Sequence, residues 1–449
     1  MSRIHTLGRT ALLLAIILAA EVRAGQPVDG SDLFGKTVPT QRPGDPNPAV
    51  VALQIAPDFT IWDGNQEITP RVTGLPYQIE QRAGSRLLLA APSQGLRGWA
   101  PSNTVVSLDR AEAYFSHAIK ANAGNPFAFL MRGVARHESG DLEPAMTDLD
   151  ESLRLDPKYL PALIERASLW RAKNQPDRAL ADLDRAIQID GSDSLAFAER
   201  GVLYFNMKDY SKSRKDLDRA ISLESHAVIV DIVRGMLDLE KKDTQRAYEN
   251  FAHALSIDPK RHDAYLGLAS VYLMRGVPKT AETILDEAVQ ADPNNPEAYG
   301  NRALLFLTRG MYEKALFNLN EVIRLAPTSA RAYQERAWLL ATCPSAKFRD
   351  GREAVASATR ACELTEWKKP RYLSTLAAAY SETGDFSNAV KCQEMAMAFM
   401  PAKAPERAEY ARILERYRIK KPYRSLTLLE EMGLKAYQPA TTPGAGTSG

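Results

Sequence analysis

A step of 34 residues runs through nearly half of this chain without losing register. From Gly133 it lands on Ala167, Gly201, Gly235, Ala269, Ala303 and Ala337, a small residue every time. The same step from Ala145 gives Ala179, Ser213, Ala247, Ala281 and Ala315, and from Leu149 it gives Leu183, Leu217, Phe251, Leu285 and Leu319. From Ser152 it gives Ala186, Ala220, Ala254, Ala288 and Val322, and a closing column holds Pro157, Gly191, Ser225, Pro259, Pro293 and Pro327, residues that break or disfavour helix. Spacings of three, four and seven put Ala145, Leu149 and Ser152 on one helical face. The earlier small residue belongs to a preceding helix. Two helices approach closely where both carry small side chains, and the large residue fills the space between neighbouring periods. One such hairpin cannot bury its apolar face alone, so stacking is obligatory.

The period and its residue columns resemble the tetratricopeptide repeat (TPR), which implies a mainly α fold, a TPR α-solenoid of helical hairpins. On this register the array covers residues 126–403 in about eight hairpins, which start at 126, 160, 194, 228, 262, 296, 330 and 370. A helix at 109–124, carrying Ala111, Phe115 and Ala118, is expected to pack on the first hairpin. Residues 404–421 read as a polar capping helix, and 422–449, ending in PATTPGAGTSG, read as a disordered tail. The seventh repeat is longer. Ala337 keeps its place, but the next small residue is Ala354, five residues late, with the extra chain at 343–351 between the helices. A tolerated surface insertion and a functional loop both fit there. Residues 349–391 resemble a recurring terminal segment of bacterial exported TPR proteins, which implies a shared architecture rather than a reaction.

Ahead of the array the pattern changes twice. Residues 1–24 join Arg3 and Arg9 to an apolar run at 11–20, followed by small residues at Val22 and Ala24. The run is about half of the ~20 residues a spanning helix needs, so the segment reads as a signal peptide cleaved before Gly25. That reading makes the mature protein exported, with no cysteine after the run to take a lipid anchor and no transmembrane anchor after cleavage. Residues 25–48, rich in Pro, Gly and Asp, read as a flexible linker. From 49 to 108 short β-type runs alternate with turn signals: AVVALQIA, FTIWDGNQEI, RVTGLPYQIEQ, SRLLLAAP and RGWAPSNTVVSL. Five such strands suggest a small barrel. The Gly98-Trp99 pair, followed by a Pro/Asn-containing turn and Val105-Val106, resembles bacterial SH3-like (SH3b) domains. The resemblance implies an SH3-like β-barrel that binds cell-wall peptides or envelope proteins, or serves as a spacer. Trp62 and Trp99 are its candidate ligand contacts, with packing of the barrel as the competing role.

The repeats also carry a polar column. Position 7 is Arg132, Arg166, Arg200, Arg234, Leu268, Arg302 and Arg336; the position expected to face it from the second helix is Asp148, Asp182, Asp216, Asn250, Ile284 and Asn318. Where arginine is absent the polar partner is absent too, as a direct contact across each hairpin requires. Arg132 with Asp148, Arg166 with Asp182 and Arg200 with Asp216 are therefore expected to form a structural ladder, with an anionic-ligand site as the alternative. The resemblance places the concave groove at positions 2, 5, 9, 12 and 13 of each first helix, which here include Phe127, Leu130, Val134, Phe205, Met236, Leu239, Leu273, Leu307 and Trp338. So apolar a set suits an amphipathic or extended peptide. Packing on the array itself or on a second copy is the alternative.

Lys plus Arg number 57 against 55 Asp plus Glu, a net charge of +2 that gives no case for nucleic acid. The six histidines form no HExxH or similar motif, and there is no Gly-rich phosphate loop or GxSxG elbow, so no catalytic, cofactor or metal residue is assigned. His253 reads as a surface or packing residue. Cys343, Cys362 and Cys392 stand where small apolar side chains belong and read as reduced and buried. The sequence thus points to a non-enzymatic protein-interaction scaffold of the bacterial cell envelope, periplasmic or envelope-associated, that binds peptide or protein segments. The alternative is a peptidoglycan-binding module anchored by the SH3-like domain, with the array as spacer.

Overall fold

The computed structural model describes residues 50–57, 59–63, 66–68, 76–92, 95–223, 227–401, 404 and 406–424. The expected signal peptide at 1–24 and the linker at 25–48 lie outside the described residues, as does 425–449. The described chain falls into two compact units that divide between Gly267 and Leu268.

The first unit opens with β-structure. Strands β1 (Val50–Gln54), β2 (Ile61–Asp63), β3 (Gln66–Ile68), β4 (Tyr77–Ala83), β5 (Arg86–Ala91), β6 (Leu96–Pro101) and β7 (Val105–Ser107) form one antiparallel sheet in the order β3-β2-β6-β5-β4-β1-β7. Two of the five runs read from sequence are each divided. FTIWDGNQEI folds as the β2–β3 hairpin, with Asp63 paired to Gln66. The last run is broken by a 3-10 turn at Ser102–Thr104, where Thr104 Oγ1 donates to the Pro101 carbonyl at 2.7 Å. Central β5 is buried on both faces: Leu87, Leu89 and Ala91 join Phe59, Ile61, Tyr77 and Ala100 in one cluster, while Leu88 and Ala90 point the other way and are buried as well. Gly98 is required by close approach, since a Cβ there would lie 3.0 Å from the Trp62 carbonyl oxygen.

Helix α1 (Leu108–Ala121) follows β7 directly, and hairpins then repeat: α2 (Pro126–Glu138) with α3 (Leu142–Leu155), α4 (Leu160–Ala172) with α5 (Pro176–Ile189), α6 (Ser194–Asn206) with α7 (Tyr210–Ser222), and α8 (Val228–Glu240) with α9 (Thr244–Ile257). One apolar cluster runs from Leu53 in β1 through Ala111 and Phe115 of α1 to Phe127, Leu130 and Val134 of α2. Sheet and first hairpin therefore share a core. The second unit begins within α10 (His262–Met274) and contains α11 (Pro278–Ala291), α12 (Pro296–Thr308), α13 (Tyr312–Leu325), α14 (Ala330–Thr342), α15 (Gly351–Leu364), α16 (Pro370–Glu382), α17 (Phe386–Ala398) and α18 (Arg407–Arg418).

Local chemistry sets these boundaries. Side chains of Asn125, Asp193, Asn295 and Ser329 accept from the first turns of α2, α6, α12 and α14, and proline opens α2, α5, α11, α12 and α16. Between the two helices of a hairpin the chain needs one left-handed residue. It is Gly140, Asn174, Lys208, Lys242, Gly276, Gly310 and Gly384, the same repeat position each time. The seventh repeat has Pro344 there, and proline's fixed φ excludes that conformation. The connection instead runs through a 3-10 turn, Ala346–Phe348, before Asp350 caps α15 by accepting from the Glu353 N–H at 3.0 Å. The extra residues are thus a detour forced by Pro344.

The small columns work as close contacts. A Cβ on Gly201 would lie 2.8 Å from Leu217, and one on Gly235 would lie 2.7 Å from Phe251. Phe251 is the only aromatic residue in its column and presses on the next helix too, where a Cβ on Gly267 would come closer still to its ring.

Candidate functional site

Arg132 donates through Nε and Nη2 to both Asp148 oxygens at 2.9 and 2.7 Å; Arg166 does the same to Asp182 at 2.9 and 2.7 Å, and Arg200 to Asp216 at 2.7 and 2.9 Å. Each arginine is largely buried, and hydrogen bonding to its aspartate, the leading cause, raises its pKa above the usual guanidinium value. The remaining Nη1 reaches back to the preceding helix: to Ser116 of α1 from Arg132 at 3.1 Å, to Asp150 from Arg166 at 2.7 Å and to Asp184 from Arg200 at 2.7 Å. Arg302 bonds Asn318 at 2.8 Å and Asp286 at 2.8 Å in the same manner. Each arginine therefore ties its own hairpin together and to its predecessor.

Sequence reasoning missed this second acceptor. It is a column of its own, Asp150, Asp184, Asp218, Ala252, Asp286 and Asn320, and it turns apolar at Ala252, just before the repeat whose arginine is replaced by Leu268. Leu268 is buried and Ile284 is half-buried against a small apolar cluster.

Two rungs depart from the pattern. Arg234 pairs with Asp218 at 3.1 Å, but Asn250, its expected facing residue, donates to Asp238 at 2.8 Å. Asp238 also pairs with Arg214. Arg336 meets Ser357 at 2.8 and 3.1 Å and Glu353 at 2.8 Å, because the lengthened repeat brings serine to the facing position. His253, expected to be a surface or packing residue, is exposed and places Nδ1 2.7 Å from a carboxylate oxygen of Asp231, whose burial pushes its pKa up while the histidine pulls it down.

Burial corrects the picture of an open apolar groove. Phe127, Leu130, Val134, Leu239, Leu307 and Trp338 are all buried, Leu130 completely, so they offer a partner little surface while what covers them stays in place. In the first repeat they are consumed by the cluster that reaches into β1. Phe205, Met236 and Leu273 are half-exposed, and Phe205 packs against Tyr210 with ring centroids 5.6 Å apart.

In the second unit the groove positions meet the chain's own end. After α18 the residues Arg418 to Lys421 are exposed, and then Tyr423 is buried, its ring 5.7 Å from that of Trp338 at 47°. Arg424 pairs with Glu382 and reaches the Ala341 carbonyl at 3.5 Å, while Arg416 donates to the Pro422 carbonyl at 3.0 Å. The tail expected to be disordered from 422 is therefore packed as far as Arg424. Glu382 also accepts from Arg349 Nε at 3.0 Å, and Arg349 Nη1 donates to the Cys343 and Pro344 carbonyls at 2.8 and 3.1 Å, which fixes the detour of the seventh repeat.

On the sheet, Trp62 and Trp99 are direct partners across β2 and β6, so both rings stand on one face, and Leu88 of β5 is the next residue in the row. Both tryptophans are half-exposed and Leu88 is buried. Cys343, Cys362 and Cys392 are buried and free of disulfides; burial pushes Cys362 up to about 12 and Cys392 up to about 11. Among the described residues no group of three or more His, Cys, Asp or Glu could hold a metal ion, and no helix is long and apolar enough to cross a membrane.

Family profiles described as "Tetratricopeptide repeat" match residues 196–226, 238–305 and 296–329. No curated protein matches the chain. Solved structures similar to it include the APC/C hetero-tetramer Cut9-Hcn1, at 17% identity over 50% of this chain and 45% of that one, TM-score 0.45. A tetratricopeptide repeat protein from Parabacteroides merdae is 20% identical over 49% of this chain and 87% of that one, TM-score 0.42. PilF of Pseudomonas aeruginosa is 21% identical over 47% of this chain and 95% of that one, TM-score 0.39. This chain spans less than half the length of the Cut9-Hcn1 chain it matches.

Proposed function

We propose that this array of tetratricopeptide repeats is a non-enzymatic scaffold that holds peptide or protein segments, exported by residues 1–24 and acting in the bacterial cell envelope. The observation that carries the reading is the pattern of exposure along the groove positions. Phe127, Leu130, Val134, Leu239, Leu307 and Trp338 are buried, but Phe205, Met236 and Leu273 keep apolar surface accessible. Accessible apolar side chains on rigid helices suit an amphipathic or extended segment, and a few such contacts carry most of the affinity. Capture of envelope proteins by the purified chain should be lost in Phe205→Glu/Met236→Glu with helical content unchanged. Retained capture by that folded variant would overturn the reading.

The paired, half-exposed Trp62 and Trp99 favour a second role for the β-region, read as an SH3-like module: stacking on cell-wall material, with the array as spacer. Cosedimentation with purified peptidoglycan that is abolished in Trp62→Ala/Trp99→Ala supports it. Equal sedimentation of variant and parent removes it.

A further inference from the structure

We infer that the groove of the last two hairpins is a peptide site whose present occupant is the chain's own segment 421–424, and that its exchangeable ligand is an extended peptide presenting an aromatic side chain followed by arginine. The inference rests on the reading of the array as a binder of peptide segments and assigns a site and a ligand class to it.

Three groove positions meet the segment. Trp338 packs on the Tyr423 ring, the Ala341 carbonyl accepts from Arg424 Nη1 at 3.5 Å, and Glu382 pairs with the same guanidinium. These contacts supply an aromatic platform, a backbone acceptor and a carboxylate, the elements that recognise an aromatic–arginine pair. The manner of approach is that of a bound peptide: Arg418 to Lys421 are exposed, and one large side chain then enters the core. The fit also leaves room for a better ligand. Trp338 is 3% exposed, yet its Nε1 has no hydrogen-bond partner among the described residues, an unpaired donor that a peptide carbonyl would satisfy. Glu382 keeps Arg349 at 3.0 Å when Arg424 leaves, so departure of the segment does not strand a buried carboxylate.

A ligand tethered through so short a linker sits at an effective concentration of roughly millimolar, so an added peptide must compete with it. Fluorescence anisotropy with a labelled KKPYRS hexapeptide, the sequence of residues 420–425, tests this on the full chain. Tyr423→Ala/Arg424→Ala should bind the hexapeptide at least about tenfold more tightly than the parent, because the competing state is removed. Binding should vanish for KKPAAS, and also when Trp338→Ala is added to the double variant. Arg424→Ala alone, which keeps the Tyr423 ring in place, should tighten binding to a smaller degree. A folded double variant that ignores the hexapeptide, or that binds KKPAAS equally, overturns the proposal. So does loss of helical signal in both the double and the single variant, which would make the segment a fixed part of the core. A chain that binds the hexapeptide but captures no envelope protein sinks the broader reading alone. Capture through Phe205 and Met236 without hexapeptide binding sinks only this one.

Discussion

Removing Arg200 should cost far more than removing the whole rung. Its guanidinium satisfies both oxygens of Asp216 at 2.7 and 2.9 Å and one of Asp184 at 2.7 Å. The Asp216 side chain is 6% exposed, so Arg200→Met strands a carboxylate that water barely reaches, whereas Asp184, at 49%, returns to solvent. Breaking a buried pair by deleting one partner costs about 3–5 kcal/mol. The arginine side chain is 18% exposed, which brings some water to the rung and lowers the expectation to about 2–4 kcal/mol. Asp216→Leu should cost less, about 1–2 kcal/mol, because Arg200 keeps Asp184 and some solvent. The double variant should fall within about 1 kcal/mol of the parent, as Leu268 and Ile284 already fill these positions elsewhere in the array. The cycle predicts a coupling of about 2 kcal/mol or more. Urea denaturation followed by circular dichroism reads the totals, and hydrogen exchange of α6 and α7 amides places the loss, since repeat arrays need not unfold as one. An Arg200→Met chain within about 0.5 kcal/mol of the parent, or a double variant as unstable as the sum of the singles, would refute the reasoning.

The glycines around Phe251 give a second test. Gly235→Ala should destabilise by roughly 1–3 kcal/mol through overpacking despite alanine's better helix propensity, and Phe251→Leu should restore most of it, because Ala with Leu is the pairing in other repeats; thermal denaturation of the three variants decides this. The buried thiols give a third. Their pKa values are raised from 9.0, to about 12 for Cys362 and about 11 for Cys392. Their stabilising contribution is thus fully present below pH 9.0 and is lost as pH rises through the folded values, because the unfolded thiols ionise first. Alkylation at pH 8 should label none of the three in the native chain and all three in urea. Labelling of the native chain would show that these sites open.

The hairpins were legible because each column answers one steric demand: a small residue where helices touch, a large one where repeats meet. The ladder was half legible. Facing arginine and aspartate columns disclosed the contact inside each hairpin, but the second acceptor at Asp150, Asp184 and Asp218 lies in the preceding repeat, and only the stacking geometry links it to the arginine. Pro344 shows the same limit. Its helix-ending role was plain, while the left-handed position it vacates emerges only beside Gly140, Asn174 and their equivalents. The groove was least legible. The TPR resemblance assigns Leu130 and Trp338 to groove positions, but whether each is open depends on what else packs there, the sheet-linked cluster in one case and Tyr423 in the other. Tyr423 escaped notice because it follows a polar helix, with no periodic signal to connect it to an array position 85 residues earlier.

Photo-crosslinking in living cells tests the central claim most directly, with benzoylphenylalanine replacing either Phe205 or Phe317. Both are native phenylalanines; Phe205, at an expected groove position, is half-exposed, and Phe317, on a second helix, is 59% exposed. The account predicts discrete adducts to envelope proteins from position 205 and none from 317. Adducts from 317 with none from 205 would place partner binding away from the groove and contradict it.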